Sequence, residues 1–359
     1  MRWPWNSKAN KDSLVISWTS STFAYVQARQ ASDGLFQVAR FGVEHRGGAA
    51  VDEFIRRIQG LGLSAEALHV VLLPQQYQLL QIEAPPVPPD EIRSAARWKI
   101  RDMVSSHLDD LTLDVMRVGD EQVRATGQMF VVVARNTLVR EVLELGEKLR
   151  CPVQVIEVHD TAQRNLQSLL AQKDDAVDRA HAALVIVNSD LAVLTICSHG
   201  ELFYSRHIEL GQGFFQGTWL SHTPVLAPGA DASLSVPDYV PSLSSYDEAL
   251  SEAHGASPGA TVQPTAPIDE RAQRFVVEVQ RSLDVWERTW SKIPLEDVKV
   301  YAGERTQELA QWLSQELGLQ VTAMDIEPYF PGFEGGSDAD RTLCWPLLGG
   351  LLRTGGRVL

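Results

Sequence analysis

LVISWTSSTFAYVQARQASDGLFQV at residues 14–38 and LVIVNSDLAVLTICSHGELFYS at residues 184–205 are the stretches that decide the fold. Each predicts three short strands joined by tight turns, with Asp-Gly or His-Gly at the second turn. Residues 14–18 align on residues 184–188 with an offset of 170 positions (184 minus 14). The same meander half a chain apart predicts an internally duplicated α/β fold, although apolar strands of this kind also recur by chance.

Length and charge set the class of protein. The chain has 359 residues, 44% hydrophobic and 22% charged, which indicates a globular protein of two domains or two lobes. With 46 acidic and 32 basic residues the net charge is -14, which argues against a nucleic-acid partner. No run approaches the ~20 apolar residues that span a bilayer. The three cysteines show no metal-binding or disulfide spacing, which fits a reducing compartment.

The remaining elements follow from apolar periodicity and turn residues. In the first half we predict a helix over 50–59, strands at 69–73 and 79–82, a helix over 90–105, strands at 111–118 and 129–135, a helix over 137–149 capped by Asn136, a strand at 153–158 and a helix over 160–171. In the second half we predict helices over 269–290, 305–317 and 343–353 and strands at 298–301 and 320–322. Both halves therefore alternate strands with helices, as α/β folds do.

One stretch, at about 222–267, has a different composition. It contains seven prolines, seven serines and no Lys or Arg, with scattered acidic residues. Such a composition buries too little apolar surface to offset the entropy of ordering the chain. We predict a flexible acidic loop within the second half.

Four further stretches resemble the PilM family of pilus biogenesis proteins, and more closely its MshI branch. They are PPDEI running into AARWKI (residues 88–100), QRSLDVWER (280–288), AGER (302–305) and PLLGGLLR (346–353). None is a chemical fingerprint, but their order and spacing match. Together with the two meanders, they extend the resemblance over most of the chain outside 222–267.

The resemblance implies a fold, a cellular role and a partner. The fold would be an actin-like (ribonuclease H-like) two-lobed α/β duplication, with lobes at 1–180 and 181–359 and an inserted α+β subdomain at about 65–150. The role would be that of a cytoplasmic scaffold at the inner membrane in the biogenesis of a type IV, mannose-sensitive haemagglutinin-type pilus. The implied partner is a membrane-anchored protein of the PilN or MshJ type, so contact with the membrane would be indirect.

Nucleotide chemistry in the actin-like fold requires two hairpins of the form Asp-x-Gly followed by Ser or Thr. Glycine lets backbone N–H groups approach the phosphates, and the carboxylates organise Mg²⁺ and water. Here the triplets fall on 16–18 and 186–188, so Ile16 and Ile186 replace both carboxylates. Trp18 replaces the first glycine, and we expect it to fill the space that a phosphate would need. We therefore predict no ATP hydrolysis.

Remnants of a nucleotide site are Thr19, Ser20 and Ser21 in the first hairpin, Asn188 in the second, and Gly303 in the adenine-side loop. With these residues weak ATP binding without turnover stays open. The alternative is structural, because hydroxyl side chains are common in hairpin turns. No metal site and no nucleophile with a general base can be proposed from the spacing of His, Cys, Asp and Glu.

A basic row, Arg93, Arg97 and Arg101, recurs every four residues and would share one face of the helix over 90–105. One interpretation is a solvated face paired with neighbouring acids. The other is a docking surface for an acidic tail of the partner or for lipid headgroups. Trp98 lies off this row and is predicted to pack inside the inserted subdomain.

Two other functions share this fold. A nucleotide-binding ATPase or sugar-kinase-like enzyme would need the Asp-x-Gly hairpins, which this chain lacks. A cytoplasmic domain like that of the type II secretion L component would be expected to continue into a transmembrane helix, and this sequence ends at Leu359 without one. The scaffold is the interpretation that fits the residues best.

Overall fold

The computed structural model describes residues 12–31, 34–118, 127–211, 213–216 and 270–353. The loop predicted at 222–267 lies outside these residues. In chain order the elements are β1 Asp12–Trp18, β2 Thr22–Gln30, β3 Phe36–His45, α1 Val51–Gly60, β4 Leu68–Leu72, β5 Tyr77–Glu83, α2 Ile92–Lys99, β6 Leu111–Arg117, β7 Gln128–Arg135, α3 Asn136–Leu149, β8 Val153–Val158, α4 His159–Lys173, β9 Ala180–Asn188, β10 Leu191–Ser198, β11 Glu201–Glu209, α5 Glu270–Thr289, β12 Leu295–Tyr301, α6 Thr306–Leu317, β13 Val321–Ala323 and α7 Asp338–Leu351.

Two five-stranded sheets repeat one topology. Their orders are β3-β2-β1-β4-β8 and β11-β10-β9-β12-β13. In each sheet, neighbours among the first three strands of this order are antiparallel. The last two strands run parallel to the central strand, which is β1 in one sheet and β9 in the other. β1 ends at Trp18 and β9 at Asn188, which is the offset that the sequence predicts. The duplicated α/β fold is therefore confirmed.

The central strand of each sheet is buried on both faces, which explains its continuous apolar sequence. Along β1, side chains alternate between two cores. Leu14, Ile16 and Trp18 pack with Phe54 of α1. Val15, on the opposite face, joins the core that contains α4 and α7.

Helices α4 and α7 lie between the two sheets and share one core with both. α4 follows the last strand of the first sheet but packs mainly on β9, β10 and β11 of the second, whereas α7 packs on β1, β2 and β3. The amides of Gln163 and Gln167 fix α4 to the second sheet by donating to the carbonyl oxygens of Ala183 and His181, at 2.9 and 2.8 Å. Each half of the chain thus supplies a helix to the other half.

The inserted subdomain is a three-stranded antiparallel sheet, β5-β7-β6, with α2 on one face. Ile92, Ala96 and Ile100 pack on this sheet in a core of their own. The range of about 65–150 drawn from the sequence also takes in β4, which belongs to the first five-stranded sheet, and α3, whose buried side chains belong to the core of the first lobe.

Two local predictions about this subdomain are wrong. The helix expected over 90–105 ends at Lys99, because the next N–H groups bond three residues back: Arg101 donates to Trp98 and Met103 to Ile100. The side chain of Asn136 caps no helix. Its amide bridges Thr112 and the carbonyl of Asp109, both at 2.7 Å.

Candidate functional site: the cleft between the lobes

The ends of β1 and β9 meet across a cavity of about 180 Å³. The lining comes from the first hairpin, the end of β9, the start of α4 and one side of α7. Its residues are Ser17, Thr19, Ser21, Thr22, Ala24, Leu73, Gln75, His159, Val185, Ile186, Val187, Asn188, Thr342, Leu343 and Pro346. The fold therefore brings the two predicted hairpins together.

Of the five predicted cofactor residues, Thr19, Ser21 and Asn188 line the cavity, and Ser20 and Gly303 do not. Ser20 is exposed on the hairpin. Gly303 has φ of 57°, and a Cβ there would lie 2.7 Å from Oγ1 of Thr342, a residue that does line the cavity. The glycine is needed for this turn and for its approach to α7.

Thr19 and Asn188, one polar residue from each hairpin, make hydrogen bonds within their own hairpins. Oγ1 of Thr19 accepts the N–H groups of Ser21 and Thr22 at 3.2 and 2.9 Å. Oδ1 of Asn188 accepts the N–H of Asp190 at 2.9 Å. These are the bonds of ordinary Ser/Thr and Asx turns, and they occupy N–H groups that could otherwise face a phosphate.

The expectation that Trp18 fills the phosphate space is wrong. Its indole stacks on Phe54, with ring centroids 5.4 Å apart and planes at 20°, inside the core of the first lobe. Strand alternation is the reason: Ile16 and Trp18 share the face that meets α1, while Ser17 between them faces the cavity. Ile186 is likewise buried, 3% exposed, in the core of the second lobe.

Across the described residues, the lining contains no Asp, Glu, Lys or Arg. A magnesium nucleotide needs carboxylates for the metal and cations or free N–H groups for its phosphates. The cavity is also smaller than the roughly 300–1,000 Å³ of most small-molecule sites. These residues do not fit a magnesium nucleotide.

His159, at the start of α4, is fully buried beside the cavity. Burial lowers its pKa to about 4, so the ring is neutral at pH 7. Neither ring nitrogen has a hydrogen-bond partner in the described part of the chain. A neutral imidazole in this position supplies no charge to the cleft.

Asp160, next to His159 at the start of α4, is a buried polar residue that the sequence analysis did not single out. Its carboxylate is fully buried and accepts hydrogen bonds from Tyr77, Ser205 and His207. Burial acts to raise its pKa, but these hydrogen bonds outweigh burial and lower the pKa to about 2. Since Tyr77 belongs to the inserted subdomain and Ser205 and His207 to β11, Asp160 joins three parts of the molecule.

The basic row is only partly available for a partner. Arg97 donates to the carbonyl oxygens of Leu108 and Leu111, so it holds the inserted subdomain together. Arg93 pairs with Asp114 at 2.9 Å on the surface. Arg101 lies beyond the end of α2. Trp98, predicted to be inside, is 69% exposed.

Among the described residues, no three His, Cys, Asp or Glu side chains lie together as metal ligands would. No helix within the described ranges combines the length and apolar character that crossing a bilayer requires.

No protein-family model matches the chain, and no curated protein matches it. Solved structures do. A chain of the PilM-PilN type IV pilus biogenesis complex is similar at TM-score 0.60 and 16% identity, over 94% of this chain and 98% of that one. A Bacteroides thetaiotaomicron protein with actin-like ATPase fold matches at TM-score 0.47 and 8% identity, over 94% and 97%. The cytoplasmic domain of EpsL, from the type II secretion system of Vibrio cholerae, matches at 0.39 and 13%, over 55% and 71%.

At these identities the similarity concerns the fold. The order of strands in the two sheets and the match over nearly the full length of both chains agree with each other. The protein has the actin-like ATPase fold that the resemblance to the PilM family implies.

Proposed function

We propose that this protein is a cytoplasmic scaffold of a type IV pilus assembly machine, at the inner membrane, and that it has no ATPase activity. The observation that carries the proposal is the full-length similarity of its fold to a chain of the PilM-PilN complex. The finer assignment, to the MshI branch and a mannose-sensitive haemagglutinin-type pilus, is supported by the sequence stretches quoted above.

The proposal of a non-enzymatic protein, a pseudo-ATPase, is supported by the lining of the cleft. Ile16 and Ile186 stand where an actin-like ATPase has its carboxylates, and both side chains belong to hydrophobic cores. Thr19 and Asn188 are occupied in their own turns. A phosphoryl-transfer site depends almost entirely on charge placed around the phosphates, and such charge is lacking in the described lining.

The proposed partner is a membrane-anchored protein of the PilN or MshJ type, which would keep the scaffold at the inner membrane. The similar solved chain comes from a complex with PilN, and this supports a partner of that kind. We place the docking surface on the inserted subdomain, on and around the row Arg93, Arg97 and Arg101. Within this row, the exposed members are Arg93 and Arg101.

Co-purification tests the scaffold. The full-length tagged chain is isolated in mild detergent from cells that produce it and the pilus assembly proteins. We expect a membrane-anchored PilN- or MshJ-like protein in stoichiometric amount. Its absence under conditions in which the chain is folded and pilus proteins are expressed would contradict the proposal.

Phosphate release tests the lack of ATPase activity. The purified chain with magnesium and ATP is expected to release no more phosphate than buffer does. Turnover that disappears in Thr19→Ala would show a working site and overturn this part of the proposal, whereas turnover that survives the substitution would indicate a contaminant.

A further inference from the structure

Helix α2 covers one face of the β5-β7-β6 sheet, and its opposite side forms part of the surface of the inserted subdomain. Ile92, Ala96 and Ile100 turn inward onto the β5-β7-β6 sheet. Side chains on the opposite side of the helix therefore face solvent, and the largest of them is Trp98, 69% exposed. A helix that is only eight residues long and already packed on one side does not need an indole on the other for its own stability.

Several basic residues lie close to this indole in the sequence. Arg93, Arg97, Lys99 and Arg101 fall within residues 92–101, and that stretch contains no acidic residue, in a chain whose net charge is -14. The guanidinium of Arg97 already donates hydrogen bonds to backbone carbonyl oxygens. Arg93 makes an ion pair with Asp114 in which both side chains are about two-thirds exposed. Such an exposed ion pair is weak, so another carboxylate can displace it. For Arg101 the described residues supply no ion pair or side-chain hydrogen bond.

Acidic side chains border the basic patch. Asp90 and Glu91 precede α2, Asp102 follows Arg101, and Asp109 lies beside Arg97. A wide anionic surface such as a lipid bilayer would meet these carboxylates together with the arginines. A narrow acidic segment can reach Trp98 and Arg101 while it meets fewer of these carboxylates, and at Arg93 it has to displace only the exposed side chain of Asp114. The charge pattern therefore favours a peptide segment over a membrane surface.

We propose that Trp98 is the apolar anchor of the partner-docking surface, and that its occupant is an acidic segment of the membrane-anchored partner with an apolar contact for the indole. This inference rests on the proposed function and names the chemistry of the contact. Tryptophan and arginine are the residues most often found at the energetic centre of protein interfaces. Trp98 supplies apolar area, and Arg93 and Arg101 select carboxylates.

The test uses the full-length chain and the partner that co-purifies with it. We expect Trp98→Ala to weaken binding at least tenfold, and Trp98→Phe to retain most of the affinity. Leu143→Ala, which truncates another exposed apolar side chain on α3, is the matched control and should bind as the wild type does. Arg101→Gln should weaken binding several-fold and reduce its dependence on salt. Circular dichroism and thermal unfolding of each variant should match the wild type, because these side chains are exposed.

A photo-crosslinking amino acid at Ser94, one turn from Trp98, identifies the occupant. An adduct with an acidic segment of the partner supports the proposal, and an adduct with lipid overturns it. Unchanged binding in Trp98→Ala also overturns it, while the scaffold function stands because the partner still co-purifies. If the wild type captures no PilN- or MshJ-like protein, the proposed function fails first and this inference falls with it.

Discussion

Gly349 of α7 lies directly against the backbone of Ala162 in α4: a Cβ on Gly349 would be 2.1 Å from the carbonyl oxygen of Ala162. The next residue is also confined, since a Cβ on Gly350 would be 2.7 Å from Cγ1 of Val15 in β1. The amide of Asn165 donates to the carbonyl of Gly349 at 3.0 Å. Gly349 therefore sets how closely α7 can approach α4, and Gly350 sets how closely α7 can pack on β1.

Gly349→Ala should destabilise the protein by about 1–3 kcal/mol, because the added methyl group meets backbone that cannot rotate away. Chemical denaturation followed by tryptophan fluorescence measures the loss. Gly335→Ala is the control, since a Cβ there has no atom within 4 Å. Equal stabilities for the two variants would show that α4 and α7 can separate without cost.

Ile16→Asp, which restores the carboxylate of an actin-like ATPase, should unfold the first lobe and restore no activity. Ile16 is 0% exposed among apolar side chains that cannot pair a charge, so we expect a loss of at least about 4 kcal/mol. Ser20→Asp places the same charge on the exposed hairpin and should leave the unfolding midpoint nearly unchanged. Phosphate release by a folded Ile16→Asp protein would contradict this account.

The sequence predicted the duplicated fold because apolar periodicity and turn residues are local signals. It placed most strands and helices within a few residues of their observed bounds. It could not tell which face of β1 turns toward the cleft, since both faces are apolar and buried. Trp18 was therefore assigned to the cleft, whereas packing against Phe54 decides its position.

The buried carboxylate of Asp160 should make the free energy of unfolding depend on pH in the acidic range. Because its pKa is lowered from 3.8 to about 2, the stability that the ionised carboxylate contributes is present above about pH 4 and is lost as the pH falls toward 2. Asp160→Asn should be less stable than wild type at pH 7, and the difference should shrink on acidification below pH 4. Urea unfolding at several pH values measures both. A difference that does not change with pH would show that the carboxylate is not needed in its charged form.

Tyr77→Phe removes one donor from the same carboxylate and should cost about 1–3 kcal/mol at neutral pH, because hydrogen bonds to buried charges are stronger than neutral ones. Tyr204→Phe makes the same change at a hydroxyl for which the described residues supply no hydrogen-bond partner, and it should be nearly neutral. Equal effects of the two substitutions would indicate that the Tyr77 hydroxyl contributes nothing through Asp160.

His181, on β9, should give the second lobe the opposite pH dependence. Its ring nitrogens face the carboxylate of Asp297 at 2.9 Å and the carbonyl of Ala176 at 2.7 Å, two acceptors that only the protonated ring can satisfy together. Burial acts to lower its pKa, but these contacts outweigh burial and raise it above 6.5. The stabilisation is therefore complete below pH 6.5 and lost as the pH rises through the raised pKa.

The measurement for His181 is the free energy of unfolding of wild type and His181→Gln at pH 5.5 and 8.5. We expect the difference between them to be larger at pH 5.5. His45→Gln, at an exposed histidine, is the control and should show no such change. A larger difference at pH 8.5 would mean that the neutral ring is the stabilising form.

The polar contacts of the cleft were harder to predict than the fold. Asp160 is 45 residues from Ser205 and 47 from His207, and no local pattern links a residue at a helix start with alternate residues of a later strand. The only available signal was the polar pair Gln163 and Gln167, four residues apart on a helix that should otherwise be apolar where it is buried. Both amides turn out to bond the second sheet.

During synthesis on the ribosome, β1 and β2 emerge long before α7, the helix that covers them. The core that contains Val15, Ala24 and Val26 therefore stays incomplete until residues 338–351 have been made. Contacts so distant in sequence form slowly, and apolar surface left open meanwhile is prone to aggregation. The first half of the nascent chain therefore exposes apolar surface until the last helix of the second half has been made.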